Sequence, residues 1–254
     1  MKKYIKEQIG HLIYKTIGTP SFIRRIEWKS VLEYLDPKEC ERILDVACGG
    51  GVLSLKIAER GCKIHGIDTS EDSVKRAKRL AEKEGIICEF VVGSAENLPY
   101  PNECFNKIVC SSSLEHFKDD VKALKEMHRV LKPKGIVILS TDSFTYPISD
   151  ELKERHREIA YVVNYYTRET LKERFKISGF EINQDKYLLN SRISSFFFNI
   201  GIKLKWSGLL WVSLSLLAYP LCLLSDKFSG VKDEGYSLVV KAQKHGLHPS
   251  DWTD

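Results

Sequence analysis

The feature that most constrains the fold is a regular alternation of strand-like and helical patterns between residues 41 and 140. Apolar runs bounded by turn residues predict strands at 42–47, 62–67, 87–92, 107–111 and 135–140. Helical periodicity separates them at 51–60, 70–84 and 119–131, with Lys132–Gly135 predicted to end the third helix. Strands that alternate with helices of this length indicate βαβ units. We therefore predict an α/β, Rossmann-like fold with a mostly parallel sheet and helices on both faces.

The flanking sequence extends this unit. We predict a lead-in helix at 24–35, helices at 149–163 and 167–178, and two late strands at 180–188 and 235–242. About forty residues, 190–230, separate the late strands. A chain of 254 residues is long enough for a substantial core. The predicted organisation is an N-terminal lead-in over 1–41, one main domain over 42–242 with the insertion, and a tail over 243–254.

Composition narrows the functional classes. The chain is 43% hydrophobic and 29% charged, which excludes wholesale disorder, and its net charge of +5 is too small to indicate nucleic acid. The seven cysteines are odd in number and none form a C-x-x-C pair, so we expect no zinc or iron–sulfur site and a reduced, cytoplasmic compartment. The first residues contain no apolar run of signal-peptide length, and no cleaved leader is expected.

A glycine-rich turn after the first predicted strand is the strongest indication of a ligand site. Its sequence is Asp45-Val46-Ala47-Cys48-Gly49-Gly50-Gly51. Glycines permit a tight turn there and let a ligand approach the backbone N–H groups at a helix start. Such a turn suits a dinucleotide, a phosphate or the carboxylate of an amino-acid-like cofactor.

Two positions bear on the choice of cofactor. A dinucleotide fingerprint has a third glycine where this chain has Ser54, which disfavours an NAD-dependent oxidoreductase. The second strand ends at Asp68, whose carboxylate is suited to accept both hydroxyls of a ribose. Since either cofactor has that ribose, Asp68 predicts an adenosine-type ligand without separating the two.

Four segments in order resemble a known family. They are ILDVACGGG (43–51), GIDTSEDSVKRAK (66–78), VGSAENLPYPNECFNKIVCSSSLEHF (92–117) and LKPKGIVILS (131–140). The series resembles the class I S-adenosylmethionine-dependent methyltransferases, in particular those of ubiquinone and menaquinone biosynthesis. The resemblance implies S-adenosyl-L-methionine as cofactor and seven strands, the last two forming an antiparallel hairpin at one edge.

The same resemblance assigns the cofactor contacts by position. Those expected to bind it are Asp45, Ala47, Gly49 and Gly51 toward the methionine portion, Asp68 and Thr69 toward the ribose, Ser94, Ala95 and Glu96 around the adenine, and Ser111 with Ser112 near the methyl group. The family usually has aspartate where this chain has Ser94. A hydroxyl still accepts a hydrogen bond from an adenine amino group, but without the charge.

The candidate general bases follow the fourth predicted strand. His116 is the first choice because of its position and ordinary pKa range, and Glu115 is the second. His116 acting only in packing or hydrogen bonding is an equal alternative. Asp142 and Tyr146 are weaker candidates at the same rim. The other six histidines, at positions 11, 65, 128, 156, 245 and 248, are expected in packing or surface roles.

The insertion contains nineteen consecutive uncharged residues, 206–224. As a helix this segment would measure about 28 Å, close to the roughly 30 Å of a bilayer core. A single crossing would separate two strands expected to pair, so a helical hairpin at the membrane interface is the prediction. We expect Pro220 to interrupt the long helix. The headgroup-level residues predicted are Trp206, Trp211 and Tyr219, flanked by Arg192, Lys203, Lys205 and Lys227.

These observations predict a methyltransferase that acts on a lipid or lipid-linked acceptor at the inner face of the membrane. Residues 190–227 contain four basic side chains and one acidic, whereas 43–189 contain 23 of each, so part of the positive excess lies in the insertion. The alternatives are a soluble small-molecule methyltransferase, with the insertion as a lid or homodimer contact, and a non-catalytic cofactor-binding protein.

Overall fold

The structure is a computed structural model that describes residues 18–206 and 208–245. In chain order the elements are α1 (Phe22–Leu35), β1 (Arg42–Val46), α2 (Val52–Ala58), β2 (Lys63–Asp68), α3 (Glu71–Glu84), β3 (Cys88–Val92), β4 (Phe105–Ser111), a 3₁₀ turn (Leu114–His116), α4 (Asp120–Val130), β5 (Leu131–Asp142), α5 (Asp150–Ala160), α6 (Arg168–Ile177), β6 (Phe180–Leu188), α7 (Arg192–Lys203), α8 (Gly208–Phe228) and β7 (Ser237–Lys244). The predicted tail begins inside β7, and its residues 246–254 lie outside the described range.

The seven strands form one sheet in the order β3-β2-β1-β4-β5-β7-β6. Strands β1 to β5 are parallel, and β7 runs antiparallel to both β5 and β6. Successive strand residues point to opposite faces, so Ile43 packs with α1, α7 and α8 while Leu44 packs with α4 and α6. The predicted α/β fold with a terminal antiparallel pair is confirmed. The predicted domain boundaries stay predictions.

Two local expectations are wrong. Lys132–Gly135 does not terminate α4, which ends at Val130; the segment opens β5, and the pairing with β4 shifts register there. Pro133 lacks an N–H group and fits such an irregularity in the ladder. Pro220 does not interrupt α8, which continues to Phe228. Pro220 lies on the exposed side of the helix, and its lack of an N–H group removes the hydrogen bond that this position would donate.

The insertion forms the predicted helical hairpin from α7 and α8, and the hairpin packs against α1. Trp211 is 2% exposed, with its ring centroid 5.6 Å from that of Phe22. The small residues of α8 also face inward, since Ser215, Ala218 and Cys222 are fully buried. The outer side is apolar: the large exposed side chains of α8 are Leu210, Leu216, Leu217, Leu221, Leu224 and Phe228.

The structure tests two parts of the membrane prediction, namely the absence of a spanning helix and the positions of the aromatic residues. Within 18–206 and 208–245, no helix is long and apolar enough to span a bilayer. The headgroup role predicted for Trp211 is wrong, because its ring is buried inside the domain. Trp206 packs on Trp211 with centroids 5.2 Å apart, and Tyr219 is half-buried beneath the Arg25 guanidinium.

Candidate active site

The turn after β1 has an unusual backbone. Ala47, Gly49 and Gly51 all have positive φ, at 57°, 54° and 77°. A Cβ on Gly51 would lie 2.8 Å from the Cβ of Ala77, so this position requires glycine for both conformation and space. At Gly49 and Gly50 a Cβ would meet no atom within 4 Å. The loop therefore presents bare backbone to an open space, while Gly51 is packed against α3.

Asp68 ties this loop to the next one. Its Oδ2 accepts a hydrogen bond from the Gly49 N–H at 2.8 Å, and its Oδ1 accepts one from the Ser70 N–H at 2.9 Å. Each carboxylate oxygen has a further lone pair. The side chain is only partly buried, so it is available to hydroxyl groups of a ligand.

Asp45 is held from behind by α2. Its side chain is 1% exposed, and Oδ2 accepts a hydrogen bond from the Ser54 hydroxyl at 2.5 Å. Burial raises the pKa of Asp45 to about 7, although the Ser54 bond lowers it in part. Ser54 occupies the position of the third glycine in a dinucleotide fingerprint. The serine that disfavours NAD at the sequence level therefore fixes the acidic residue of this loop.

Two adjoining cavities lie at the carboxyl ends of the parallel strands. We call the first, of about 230 Å³, the loop cavity; it is lined by Asp45, Ala47–Gly50 and Ser111–Ser113, with Arg24, Trp28, Val52 and Leu53. The second, of about 510 Å³, is the Asp68 cavity, lined by Ile67–Thr69, Gly93–Glu96, Ser113 and His116–Lys118, with Ala47. They share Ala47 and Ser113. The Asp68 cavity alone has the size of a small-molecule site, and the loop cavity extends it.

The predicted adenine segment lines the Asp68 cavity. Ala95 is buried, and the Ser94 hydroxyl accepts a hydrogen bond from the Glu96 N–H at 3.1 Å. Glu96 in turn accepts a hydrogen bond from the Asp119 N–H at 3.3 Å, which ties the segment to the start of α4. The Ser94 O–H retains its proton for donation.

Helix α1 forms a wall of the loop cavity that the sequence did not reveal. Glu27 is 1% exposed and accepts a short hydrogen bond from the Ser112 hydroxyl, while Arg24 lies 3.4 Å from the other carboxylate oxygen. Ser112 has φ 44° and its N–H donates to the Ser140 carbonyl at 2.9 Å. An acid among apolar positions of α1 was the only signal, and it does not indicate what the acid contacts.

His116 lines the Asp68 cavity in a defined tautomer. Its Nδ1 is 3.1 Å from the Tyr161 carbonyl oxygen. Because a carbonyl only accepts hydrogen bonds, Nδ1 carries the proton of the neutral ring and Nε2 keeps a lone pair. Partial burial lowers the pKa of His116, and the Tyr161 bond opposes this. A neutral imidazole with a free Nε2 is the form required of a base.

The remaining candidates lie behind this surface. Glu115 is buried and accepts a hydrogen bond from the Thr141 hydroxyl at 3.0 Å; burial and nearby Asp142 raise its pKa well above the ordinary value. A raised pKa favours the protonated carboxyl, which is no base, and Glu115 does not line either cavity. Burial and the neighbouring Glu27 raise the pKa of Asp142 to about 7. Tyr146 packs on Tyr236 and also does not line them.

His156, expected in a packing role, adjoins the same acids. It is 4% exposed, with Nε2 3.7 Å from Asp142 Oδ2 and Nδ1 3.0 Å from the Tyr165 hydroxyl. Burial lowers the pKa of His156 to about 4. The ring therefore stays neutral and links the rim of the site to α7, where it packs near Phe198.

The sheet and these cavities define a Rossmann-like domain with a nucleoside-type site at the carboxyl edge of its strands. A family model described as a methyltransferase domain matches residues 37–191. The chain belongs to this methyltransferase family. The predicted family is confirmed, and membership supports the predicted enzyme class and S-adenosylmethionine as cofactor.

Curated relatives carry related names. The chain is 30% identical over 146 residues to a demethylmenaquinone methyltransferase of Geobacillus stearothermophilus, covering 52% of this chain and 62% of that protein. It is 34% identical over 103 residues to a ubiquinone biosynthesis O-methyltransferase of Pseudomonas aeruginosa, covering 40% and 44%. The chain thus spans less than two thirds of the length of each.

The fold also recurs among solved structures. Phosphoethanolamine N-methyltransferase 2 of Haemonchus contortus, in complex with S-adenosyl-L-methionine, matches with a TM-score of 0.64 and 18% identity. The match covers 93% of this chain and 60% of that one. At this identity the likeness concerns the fold alone.

Proposed function

We propose that this protein transfers a methyl group from S-adenosylmethionine to a lipid or lipid-linked acceptor at a membrane surface. One observation carries the proposal: a bare glycine backbone, a carboxylate suited to ribose hydroxyls and the exposed imidazole of His116 line two adjoining cavities, and the same domain carries an exposed apolar hairpin. The family membership supports the chemistry, and the quinone-related names of the relatives support an apolar acceptor.

The residues present fit this cofactor. Open space above Gly49 and Gly50 leaves room for the methionine portion against backbone, and Asp45 lies at the same cavity. Asp68 would accept the ribose hydroxyls, and Ser94 to Glu96 would border the adenine. When bound, the cofactor supplies a methyl group on a positively charged sulfur.

The protein's own task is to orient the acceptor and receive its proton. Alignment of two reactants contributes much of the rate in such transfers. Nε2 of His116 would accept a proton from a hydroxyl or activated carbon, which is worth roughly 10²–10⁴-fold. The Glu27–Ser112 bond would keep α1 closed over the opposite wall of the loop cavity.

Membrane attachment is supported by the outer side of α8. Leu217 is 57% exposed and Leu224 is 60% exposed, and no charged residue occurs between Gly208 and Ser225. Exposed Arg192, Lys203 and Lys227 lie near the hairpin ends. A contiguous apolar face with basic flanks suits an anionic bilayer.

The cofactor assignment is tested by calorimetry. We expect the protein to bind S-adenosylmethionine and Asp68→Ala to weaken binding roughly 100-fold, because hydrogen bonds to a charged acceptor are each worth about 1.5–3 kcal/mol. Asp72→Ala, an exposed acid on the adjacent helix, is the matched control. Heat with NAD but none with S-adenosylmethionine would reject the methyltransferase.

The acceptor is tested by mass spectrometry. Protein incubated with methyl-labelled S-adenosylmethionine and a cell lipid extract should produce a lipid species heavier by one methyl group. Flotation with anionic vesicles, without detergent, tests attachment. Methylation of a water-soluble compound by protein that remains unbound would favour the soluble alternative, and cofactor binding without any transfer would favour the non-catalytic one.

A further inference from the structure

A groove of about 780 Å³ lies between α1 and the C-terminal half of α8, on the side of α1 away from Arg24 and Trp28. The end of β6 forms its floor. Its lining includes Lys29 and Glu33 of α1, Leu188 of β6, and Leu223, Leu224 and Lys227 of α8. Neither the cofactor nor the acceptor assignment uses this groove.

The groove is continuous with the apolar outer face of the hairpin. Leu224 belongs to both, and Pro220 is exposed beside it. Ile26 and Leu188 are buried at the inner end. An acyl chain leaving the groove would therefore pass onto leucine side chains and not into water.

The groove is lined by three lysines and two carboxylates, which leaves an excess of one positive charge. Glu33 is paired with Lys186 at 3.0 Å. Asp226 accepts hydrogen bonds from the Ser194 hydroxyl at 2.6 Å and the Leu189 N–H at 3.1 Å. The carboxylates are thus engaged. Lys29 and Lys227 are exposed and form no ion pair with a carboxylate among the described residues.

We propose that this groove binds one anionic phospholipid, with its phosphate between Lys29 and Lys227 and an acyl chain over Leu223 and Leu224. Two exposed ammonium groups without a salt bridge, in a groove with three lysines against two carboxylates, lie beside an apolar exit and so match the two ends of such a molecule. This inference rests on the proposed attachment to a membrane, but it does not depend on methyl transfer.

The test uses short-chain lipids that are monomeric in solution, so that binding of one lipid in the groove can be distinguished from attachment to a membrane surface. Dihexanoyl phosphatidylglycerol, dihexanoyl phosphatidylcholine and inorganic phosphate are titrated into the full chain by calorimetry. We expect saturable, one-to-one binding of phosphatidylglycerol only. Lys29→Ala with Lys227→Ala should weaken it roughly 30-fold.

The matched control is Lys78→Ala with Lys172→Ala, which removes the same charge from exposed positions on α3 and α6. Equal weakening by both pairs, or equal binding of the two lipids, would overturn the site. Equally tight binding of inorganic phosphate would overturn the lipid assignment. A dimer detected by sedimentation, with this groove buried between the two copies, would make a second copy of the chain the occupant of the groove and not a lipid. Cofactor calorimetry on the same samples reports separately on the proposed function.

Discussion

The cofactor edge of the sheet and the α7–α8 hairpin differ in where their polar and apolar side chains lie. At the cofactor edge, the acidic side chains have defined partners: the Ser54 hydroxyl donates to the buried Asp45, and two backbone N–H groups donate to the partly buried Asp68. On the hairpin, the small and polar side chains Ser215 and Cys222 are buried while leucines face outward. A water-facing amphipathic helix has the reverse arrangement. The contrast supports the proposal of a polar ligand at the cofactor edge and an apolar surface against the hairpin.

The largest effect is expected at the cofactor edge, from His116→Gln. Loss of the base should slow methyl transfer roughly 10²–10⁴-fold while leaving S-adenosylmethionine affinity near wild type. In the wild type the rate should fall with acid only below the ordinary histidine pKa, because the pKa of His116 is lowered and its neutral form is the active one. Rates with the acceptor identified by mass spectrometry measure this.

The control for that prediction is His245→Gln, an exposed histidine near the far end of β7. It should leave the rate unchanged. A full rate in His116→Gln at every pH would assign His116 to packing or hydrogen bonding instead.

The next effect is on the inner side of the hairpin. Trp211→Ala should lower the free energy of unfolding by about 3–5 kcal/mol, since a large buried aromatic leaves a cavity against Phe22 and Trp206. Urea denaturation measures the change. A loss below roughly 1 kcal/mol would mean that the hairpin does not pack on α1 as described.

His156 lies where the two regions meet, and its titration gives a third prediction. Its folded pKa of about 4 lies below the roughly 6.5 of an unfolded histidine, so the unfolded chain binds more protons between these values. Stability from the neutral ring is complete above about pH 6.5 and is lost as pH falls toward 4. His156→Gln should flatten this loss by up to about 1.4 kcal/mol per pH unit.

Urea unfolding of both proteins across this pH range measures the difference. The raised pKa of Asp45 acts in the opposite direction, but it is common to both proteins and cancels. If the unfolding free energies of the two proteins ran parallel across this pH range, His156 would be exposed to solvent with an ordinary pKa, and the prediction would be wrong.

The smallest effect on stability is expected from the outer side of the hairpin. Leu217→Ser and Leu210→Ser should each change the free energy of unfolding by less than about 0.5 kcal/mol, because these side chains are 57% and 61% exposed. The pair should nevertheless reduce flotation with anionic vesicles. Unchanged flotation combined with loss of a chain dimer would identify this face as a subunit contact.

The sequence predicted the structure well where a local residue pattern determines a strand, a helix or a ligand-binding loop. The alternation predicted every strand and α-helix of the core unit but not the 3₁₀ turn Leu114–His116, and the glycine turn with Asp68 predicted residues that line both cavities. Boundaries were less well predicted: β5 starts four residues before its expected position, at Leu131. Pro133 and Gly135 are residues typical of a helix end. They belong to a strand here because their segment pairs with β4, which local sequence does not reveal.

What the sequence determined by itself is the order of strands and helices along the chain and the chemistry of the loops, because periodicity, glycine and acidic residues at strand ends act over a few neighbours. Tertiary structure decided which side of each helix is buried. Glu27 reaches Ser112 across 85 positions, and Trp211 turns inward onto α1 and not outward to a headgroup layer. Such contacts depend on the summed packing of distant segments, and no local pattern in either segment specifies its partner.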